Sequence, residues 1–110
     1  MIDWACVRTL MNEIGEEDFD DVIPLFLQEM DATVAKLAAS KDRGTLAETL
    51  HFLKGASLNL GFGIFSGMCV AGEAACKNGS SEQVDTDALA DAYARSRQQF
   101  LDGLANGVPA

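Results

Sequence analysis

The spacing of the apolar residues constrains the fold of this chain more than any other feature of its sequence. In five successive segments, apolar side chains recur every three or four residues, which is the period of an amphipathic α-helix. The chain has no run of four or more residues that alternates between apolar and polar types with the β-branched enrichment of a strand. The pattern therefore predicts an all-α fold.

Glycines and capping residues divide this pattern into one short helix and four long ones. The predicted helices cover about residues 3–14, 21–41, 45–60, 64–77 and 85–104. Asp3 and Asp85 are predicted to cap the first and the last of them. Thr45 and Glu48 have the spacing of a capping box and predict the start of the third helix.

The start of the second helix depends on Pro24, because proline is tolerated in a first turn but kinks a helix interior. The helix begins near Asp18 if Pro24 is interior and near Asp21 if Pro24 lies in the first turn, and we favour Asp21. Five acidic residues lie around this start, at positions 16, 17, 18, 20 and 21. Their spacing does not fit an EF-hand calcium loop, so we interpret them as acids that stabilise a helix N-terminus.

The lengths of the helices and of their connections predict the architecture. Four long helices joined by short connections favour an antiparallel up-down-up-down four-helix bundle, with the short helix as an additional N-terminal element. The sequence contains neither an internal repeat nor a linker. We therefore expect residues 1–110 to form one domain, and about 100 residues is a common domain size.

The charge balance excludes several classes of partner. Lys and Arg total 8 against 17 Asp and Glu, which gives a net charge of −9 at pH 7. Such a surface repels nucleic acids and anionic membranes, so neither is expected as a partner. No apolar run approaches the roughly 20 residues of a membrane span, and the N-terminus lacks the basic region of a signal peptide. Three cysteines favour reduced thiols. We predict a cytoplasmic protein, and the acidic exterior favours a monomer.

The chain has a single histidine, His51, in the middle of the third predicted helix. At about 100° per residue, the apolar stripe of that helix is centred nearly opposite His51, so the imidazole is predicted to face solvent. The same arithmetic places four further residues on the exposed face: Lys54, Gly55, Leu58 and Phe62. For Phe62, a turn inward after Gly61 remains an alternative.

Gly55 follows His51 by one helical turn and has two interpretations. A glycine inside a helix costs about 1 kcal/mol relative to alanine, so its presence calls for a reason. It either keeps space open beside the imidazole, or it is a tolerated glycine or one that lets a neighbouring helix pack closely. The periodicity does not decide between them.

Residues 51–61, with the sequence HFLKGASLNLG, closely resemble the signature H-x-[LI]-K-G-[SA]-[SA]-x-x-[LI]-G of the histidine-containing phosphotransfer (HPt) domain family. Cys69, Glu73 and Gly79 fall where that family often has a Cys, a Glu or Gln, and a Gly. The resemblance covers about residues 13–105. Leu50 and Phe52 depart from the usual pattern, but neither removes a chemical group that the family uses.

This resemblance implies a phosphorelay carrier of two-component signalling. His51 would accept a phosphoryl group from the aspartyl phosphate of one receiver domain and pass it to the aspartate of another. Lys54 would stabilise the phosphoryl group, and Gly55 would leave room for the approaching partner. Leu58 and Phe62 would contact the partner, and Glu73 would lie near the histidine or at the partner surface.

The implied partners are response-regulator receiver domains, with a hybrid sensor kinase as a further donor. The family needs no cofactor of its own, because Mg²⁺ is expected on the receiver domain.

Other functions have less support in the sequence. Phosphate-binding glycine loops of kinases and NTPases are absent, so we do not expect a kinase. A histidine kinase of the dimeric type needs a longer chain, and a hydrolase triad needs a nucleophile that the sequence does not offer. Cys69 and Cys76 lie on one helix stripe and are interpreted as buried small hydrophobes rather than zinc ligands. The remaining alternative is a four-helix interaction module that docks a partner on the His51 face without phosphoryl chemistry.

Overall fold

The computed structural model describes residues 2–39 and 43–107, and within these residues the chain is helical. The helices are α1 (Trp4–Ile14), α2 (Glu16–Ala39), α3 (Leu46–Asn59), α4 (Gly63–Lys77) and α5 (Thr86–Ala105), with a 3₁₀ turn at Ser81–Gln83. Apart from a single antiparallel bridge between Ile2 and Phe62, these residues form no β-structure. The predicted all-α fold is confirmed.

Two of the predicted helix caps are present in the structure and the third is not. The Asp3 carboxylate accepts from the backbone N–H of Ala5 at 3.1 Å, and that of Asp85 from Ala88 at 3.0 Å, so both predicted caps are confirmed. Thr45 occupies the N-cap of α3 but makes no side-chain cap bond, and the predicted capping box is wrong. Its ψ of 2° lies outside the extended region in which a capping hydroxyl reaches the first helical N–H groups.

Helix α2 begins at Glu16, earlier than either predicted start, and Pro24 lies inside it. The first turn contains Glu16, Glu17 and Asp18, whose negative charges interact favourably with the helix dipole and allow the earlier start. Pro24 cannot donate to the carbonyl of Asp20, but both residues are exposed, so water can satisfy that carbonyl. The predicted helix end near position 41 lies outside the described residues.

Helices α2 to α5 form the antiparallel four-helix bundle, in which each packs on the next in sequence and α5 packs back on α2. The short α1 lies against α2 and α3. Every helix contributes to one core, for example through Val7, Ile23, Leu50, Phe65 and Phe100, all of them buried. The predicted architecture is confirmed.

Close packing between α3 and α4 fixes which residues of the two helices face each other. At Gly72 of α4, an added Cβ would lie 2.8 Å from Cδ1 of Leu50 on α3, so a side chain there would require Leu50 to shift. The absence of a side chain at Gly72 therefore allows α4 to approach α3 closely. Glu73, which follows Gly72, lies beside His51, which follows Leu50.

The turn between α3 and α4 is held by the N-terminal segment. The backbone N–H of Asp3 donates to the carbonyl of Gly61 at 2.7 Å. Gly61 has φ +73°, and a side chain there would overlap the carbonyl oxygen of Asp3, so glycine is required at this position. The chain direction therefore changes at Gly61, just after α3 ends.

The exterior of the bundle carries a few large apolar side chains among its polar residues: Leu25, Phe52, Leu58, Ile64 and Val70. In the described part of the chain, none of the helices combines the length and the hydropathy needed to cross a bilayer.

Candidate functional site

His51 lies in the middle of α3 with 69% of its side chain exposed. Its neighbour Leu50 and the following Leu53 are fully buried, so the apolar stripe of α3 faces the core and the imidazole faces outward. The predicted exposure of His51 is confirmed. An exposed imidazole on a helix is accessible to a group that another molecule presents.

Glu73 of α4 lies beside the imidazole. Its Oε2 is 3.1 Å from Nδ1 of His51, and only 8% of the residue is exposed. A carboxylate can only accept a hydrogen bond, so in the neutral imidazole Nδ1 carries the proton. The lone pair of the ring then lies on Nε2. The contact thus orients the ring and selects the nitrogen that can act as a nucleophile.

Two lysines also contact Glu73. Nζ of Lys54 donates to Oε1 at 3.1 Å, and Nζ of Lys77 lies 3.7 Å from Oε2. The hydrogen bond from Lys54 is the main cause that lowers the pKa of the Glu73 carboxyl below its usual range. The contacts from His51 and Lys77 lower this pKa further, whereas desolvation raises it. Glu73 is therefore a carboxylate at neutral pH.

Gly55 and Leu58 extend the exposed face beyond His51. A Cβ added at Gly55 would have no atom of another element within 4 Å, so close packing of a neighbouring helix does not explain this glycine. Leu58, one turn further along α3, is 53% exposed. Both residues occupy the face predicted for them, and the surface beside His51 is open.

Phe62 does not lie on this face, and its predicted role as a partner contact is wrong. It is fully buried, with ring centroids 6.1 Å from Tyr93 and 5.6 Å from Phe100. The helical arithmetic extended α3 too far, because the helix ends at Asn59 and the positive φ of Gly61 redirects the chain. The alternative of an inward turn describes Phe62 correctly.

The predicted role of Glu73 as a partner contact is also wrong. Because it is nearly buried and its carboxylate points to His51 and Lys54, it lies beside the histidine rather than on the docking surface. Of its two predicted placements, the position near the histidine is confirmed.

Lys77 contacts Glu73 but was not among the site residues predicted from the sequence, and the exposed Val70 was not singled out either. Lys77 follows Glu73 by four residues, the spacing of a helical ion pair, and that signal was available in the sequence. Val70 precedes Glu73 by one turn on α4 and is 50% exposed. Both lie on α4, whose position relative to His51 depends on tertiary packing.

The thiols and the acidic residues offer no second site in the described part of the chain. Cys69 is buried, and burial raises the pKa of its thiol to about 12, whereas Cys76 is half-buried. Both thiols are free, and the predicted burial is confirmed for Cys69 but not for Cys76. The residues described include no group of three or more side chains placed to hold a metal ion.

The fold and the site together form a small helical bundle that presents one oriented, exposed imidazole on α3. In a comparison with family models, the model of the Hpt domain matches residues 21–106. The chain belongs to the HPt domain family, whose members are phosphocarriers of two-component and phosphorelay signalling that interact with receiver domains. Searches of curated proteins and of solved structures found no match.

Proposed function

We propose that His51 accepts a phosphoryl group from the aspartyl phosphate of one receiver domain and passes it to the aspartate of another. The observation that carries this proposal is the contact of Nδ1 with Glu73, which leaves the nucleophilic Nε2 on the exposed side of the ring. A neutral imidazole is a good nucleophile near pH 7.

In the forward step, the lone pair of Nε2 attacks phosphorus while the bond from phosphorus to the aspartyl oxygen breaks. The electron pair of that bond leaves with the aspartate as a carboxylate, and an N–P bond forms. The ring gains positive charge and retains its proton on Nδ1, where Glu73 stabilises it. Attack by a second receiver's carboxylate on phosphorus reverses the sequence and returns the electron pair to Nε2.

Lys54 would stabilise the phosphoryl group during transfer. It lies one turn from His51 on α3, and Glu73 holds its ammonium group beside the imidazole. Phosphoryl transfer depends on alignment and on positive charge near the equatorial oxygens. The receiver domain would supply Mg²⁺, so this chain needs only the histidine and a nearby cation.

The docking face would consist of Gly55 and Leu58 on α3 and Val70 on α4. The two apolar side chains are exposed, and Gly55 leaves the approach to His51 open. Apolar groups that are buried on contact form the centre of many protein interfaces. The partners would be receiver domains, with a hybrid sensor kinase as one donor, and the carrier would act as a cytoplasmic monomer.

Incubation with a phosphorylated receiver domain and Mg²⁺ tests this function, with intact mass as the readout. We expect one added phosphoryl group that is lost in acid and stable in base. The His51→Gln variant should show no labelling while its melting temperature stays nearly unchanged. Labelling of that variant would contradict the assignment to His51. A wild-type chain that binds receivers but is never labelled would instead support the interaction module.

A further inference from the structure

The site contains a second cation, Lys77, to which the proposed transfer step assigns no role. Its Nζ lies 3.7 Å from the same Oε2 that faces Nδ1 of His51. Both groups approach one oxygen, so Nζ lies within about 7 Å of Nδ1, less than the Debye length of about 8 Å at physiological ionic strength. The positive charge of Lys77 therefore contributes to the electrostatic potential at the imidazole.

The contacts of Lys77 differ from those of Lys54. The ammonium group of Lys54 is held at hydrogen-bond distance and its side chain is 28% exposed. Lys77 is more distant from the carboxylate and its side chain is 72% exposed. A long, exposed lysine side chain can leave Glu73 and move toward a new negative charge at little cost in packing.

The charges explain what Lys77 adds. With His51 neutral, one carboxylate and two ammonium groups give the cluster a charge of +1. A phosphoryl group carries nearly two negative charges near pH 7, but the ring becomes positive because Nδ1 keeps its proton, so the step adds about one negative charge and brings the cluster to about zero. Without Lys77 the same step would run from zero to about −1. Lys77 thus lowers the electrostatic free energy of the phosphorylated state relative to the unphosphorylated one.

We propose that Lys77 raises the fraction of His51 that remains phosphorylated when the chain is at equilibrium with a receiver domain. This inference rests on the proposed function, because it concerns the phosphorylated state of His51. Lys77 would set how the phosphoryl group is shared between carrier and receiver, whereas Lys54 would act on the rate of transfer. The alternative is that Lys77 forms only a helical ion pair with Glu73.

The test compares three variants of Lys77. The chain is phosphorylated with phosphoramidate, purified and mixed with a Mg²⁺-loaded receiver domain, and phosphohistidine and phosphoaspartate are quantified at equilibrium. Lys77→Gln should lower the ratio of phosphohistidine to phosphoaspartate by about two- to fivefold, the size expected for one exposed charge interaction. Lys77→Glu should lower it further, Lys77→Arg should retain it, and high salt should reduce the differences.

Arg95→Gln provides the matched control. Arg95 pairs with Asp91 at the same four-residue spacing on α5, and its side chain is 75% exposed, so this change also removes one cation from a helical ion pair. It should leave the ratio unchanged. If Lys77→Gln changes the ratio no more than Arg95→Gln does, the inference about Lys77 is wrong and the proposed function stands. If no receiver discharges the phosphorylated wild type, the proposed function fails and the inference fails with it.

Discussion

Glu73 on α4 and His51 on α3 are 22 residues apart in sequence, yet Oε2 of the glutamate lies 3.1 Å from Nδ1 of the histidine. The contact joins the exposed imidazole to a nearly buried carboxylate. It gives the two ring nitrogens different roles, because Nδ1 is bound on the protein side and Nε2 is left for the partner.

The first prediction concerns this contact. Glu73→Ala should increase the fraction of neutral imidazole that carries its proton on Nε2, because the acceptor for Nδ1–H is lost. Phosphoryl transfer should slow by about tenfold, since a hydrogen bond to a charged group contributes roughly 1.5 kcal/mol. The ¹⁵N chemical shifts of His51 measure the tautomer, and transfer from a phosphorylated receiver measures the rate. Unchanged shifts would show that Glu73 does not orient the ring.

The lowered pKa of Glu73 predicts how stability depends on pH. The carboxyl protonates near its ordinary value of 4.5 in the unfolded chain and at lower pH in the folded chain. Its contacts therefore stabilise the fold above pH 4.5, and this contribution is lost as the pH falls through the folded pKa. The melting temperature of Glu73→Gln should lie below that of the wild type at pH 7, and the gap should narrow in acid.

Glu82→Gln is the control for this experiment, because it removes one carboxylate from the exposed 3₁₀ turn. A gap between the wild type and Glu73→Gln that stays constant from pH 7 to acid would contradict the electrostatic origin of the effect.

Lys54 is predicted to affect transfer more than stability. Lys54→Met keeps much of the apolar stem but removes the ammonium group that contacts Glu73. Transfer to and from a receiver should slow by about tenfold or more, as expected for the loss of one group that stabilises developing charge. The free energy of unfolding should fall by less than about 1 kcal/mol, because the side chain is partly exposed and Lys77 still pairs with Glu73. Denaturant unfolding and rapid-quench transfer assays measure the two effects.

The helical period predicted that Leu58 and Phe62 share the exposed face, but substitutions at these two residues should have opposite effects on stability and on receiver binding. Phe62→Ala should destabilise the fold by about 3–5 kcal/mol, because it removes a fully buried ring. Leu58→Ala should change stability by less than about 0.5 kcal/mol but weaken receiver binding at least fivefold. Calorimetry for binding and denaturant unfolding distinguish the two. Undiminished receiver affinity in Leu58→Ala would remove Leu58 from the docking face.

The orientation of His51 could be predicted because it depends only on the helical period within α3. The positions of the helices and two of the caps follow from equally local signals, which are apolar spacing and aspartates before a helical run. The error at Phe62 has a local origin too, since the arithmetic was continued past Asn59, where the helix ends.

The arrangement around Glu73 could not be derived from spacing alone, because it depends on how α3 and α4 pack. The missing side chain at Gly72 allows α4 to lie close to Leu50 of α3. Only this packing shows that Glu73 and Lys77 share the site with His51. The family resemblance indicated a position near the histidine for Glu73, but it did not include Lys77.

Gly55 provides the sharpest test of the exposed face, because stability and activity should move in opposite directions. A side chain at Gly55 would meet no other element, so Gly55→Ala should stabilise the helix by up to about 1 kcal/mol, since alanine is the better helix former. The larger side chain of Gly55→Gln should keep the protein folded but block or strongly slow transfer. Residues four apart lie about 6 Å apart between their Cβ atoms, so this side chain would extend into the path of the receiver toward Nε2. Thermal melting and transfer assays on both variants measure the two effects. A joint fall in stability and transfer would mean that Gly55 faces another helix, and unchanged transfer in Gly55→Gln would mean that the receiver approaches His51 from a different side.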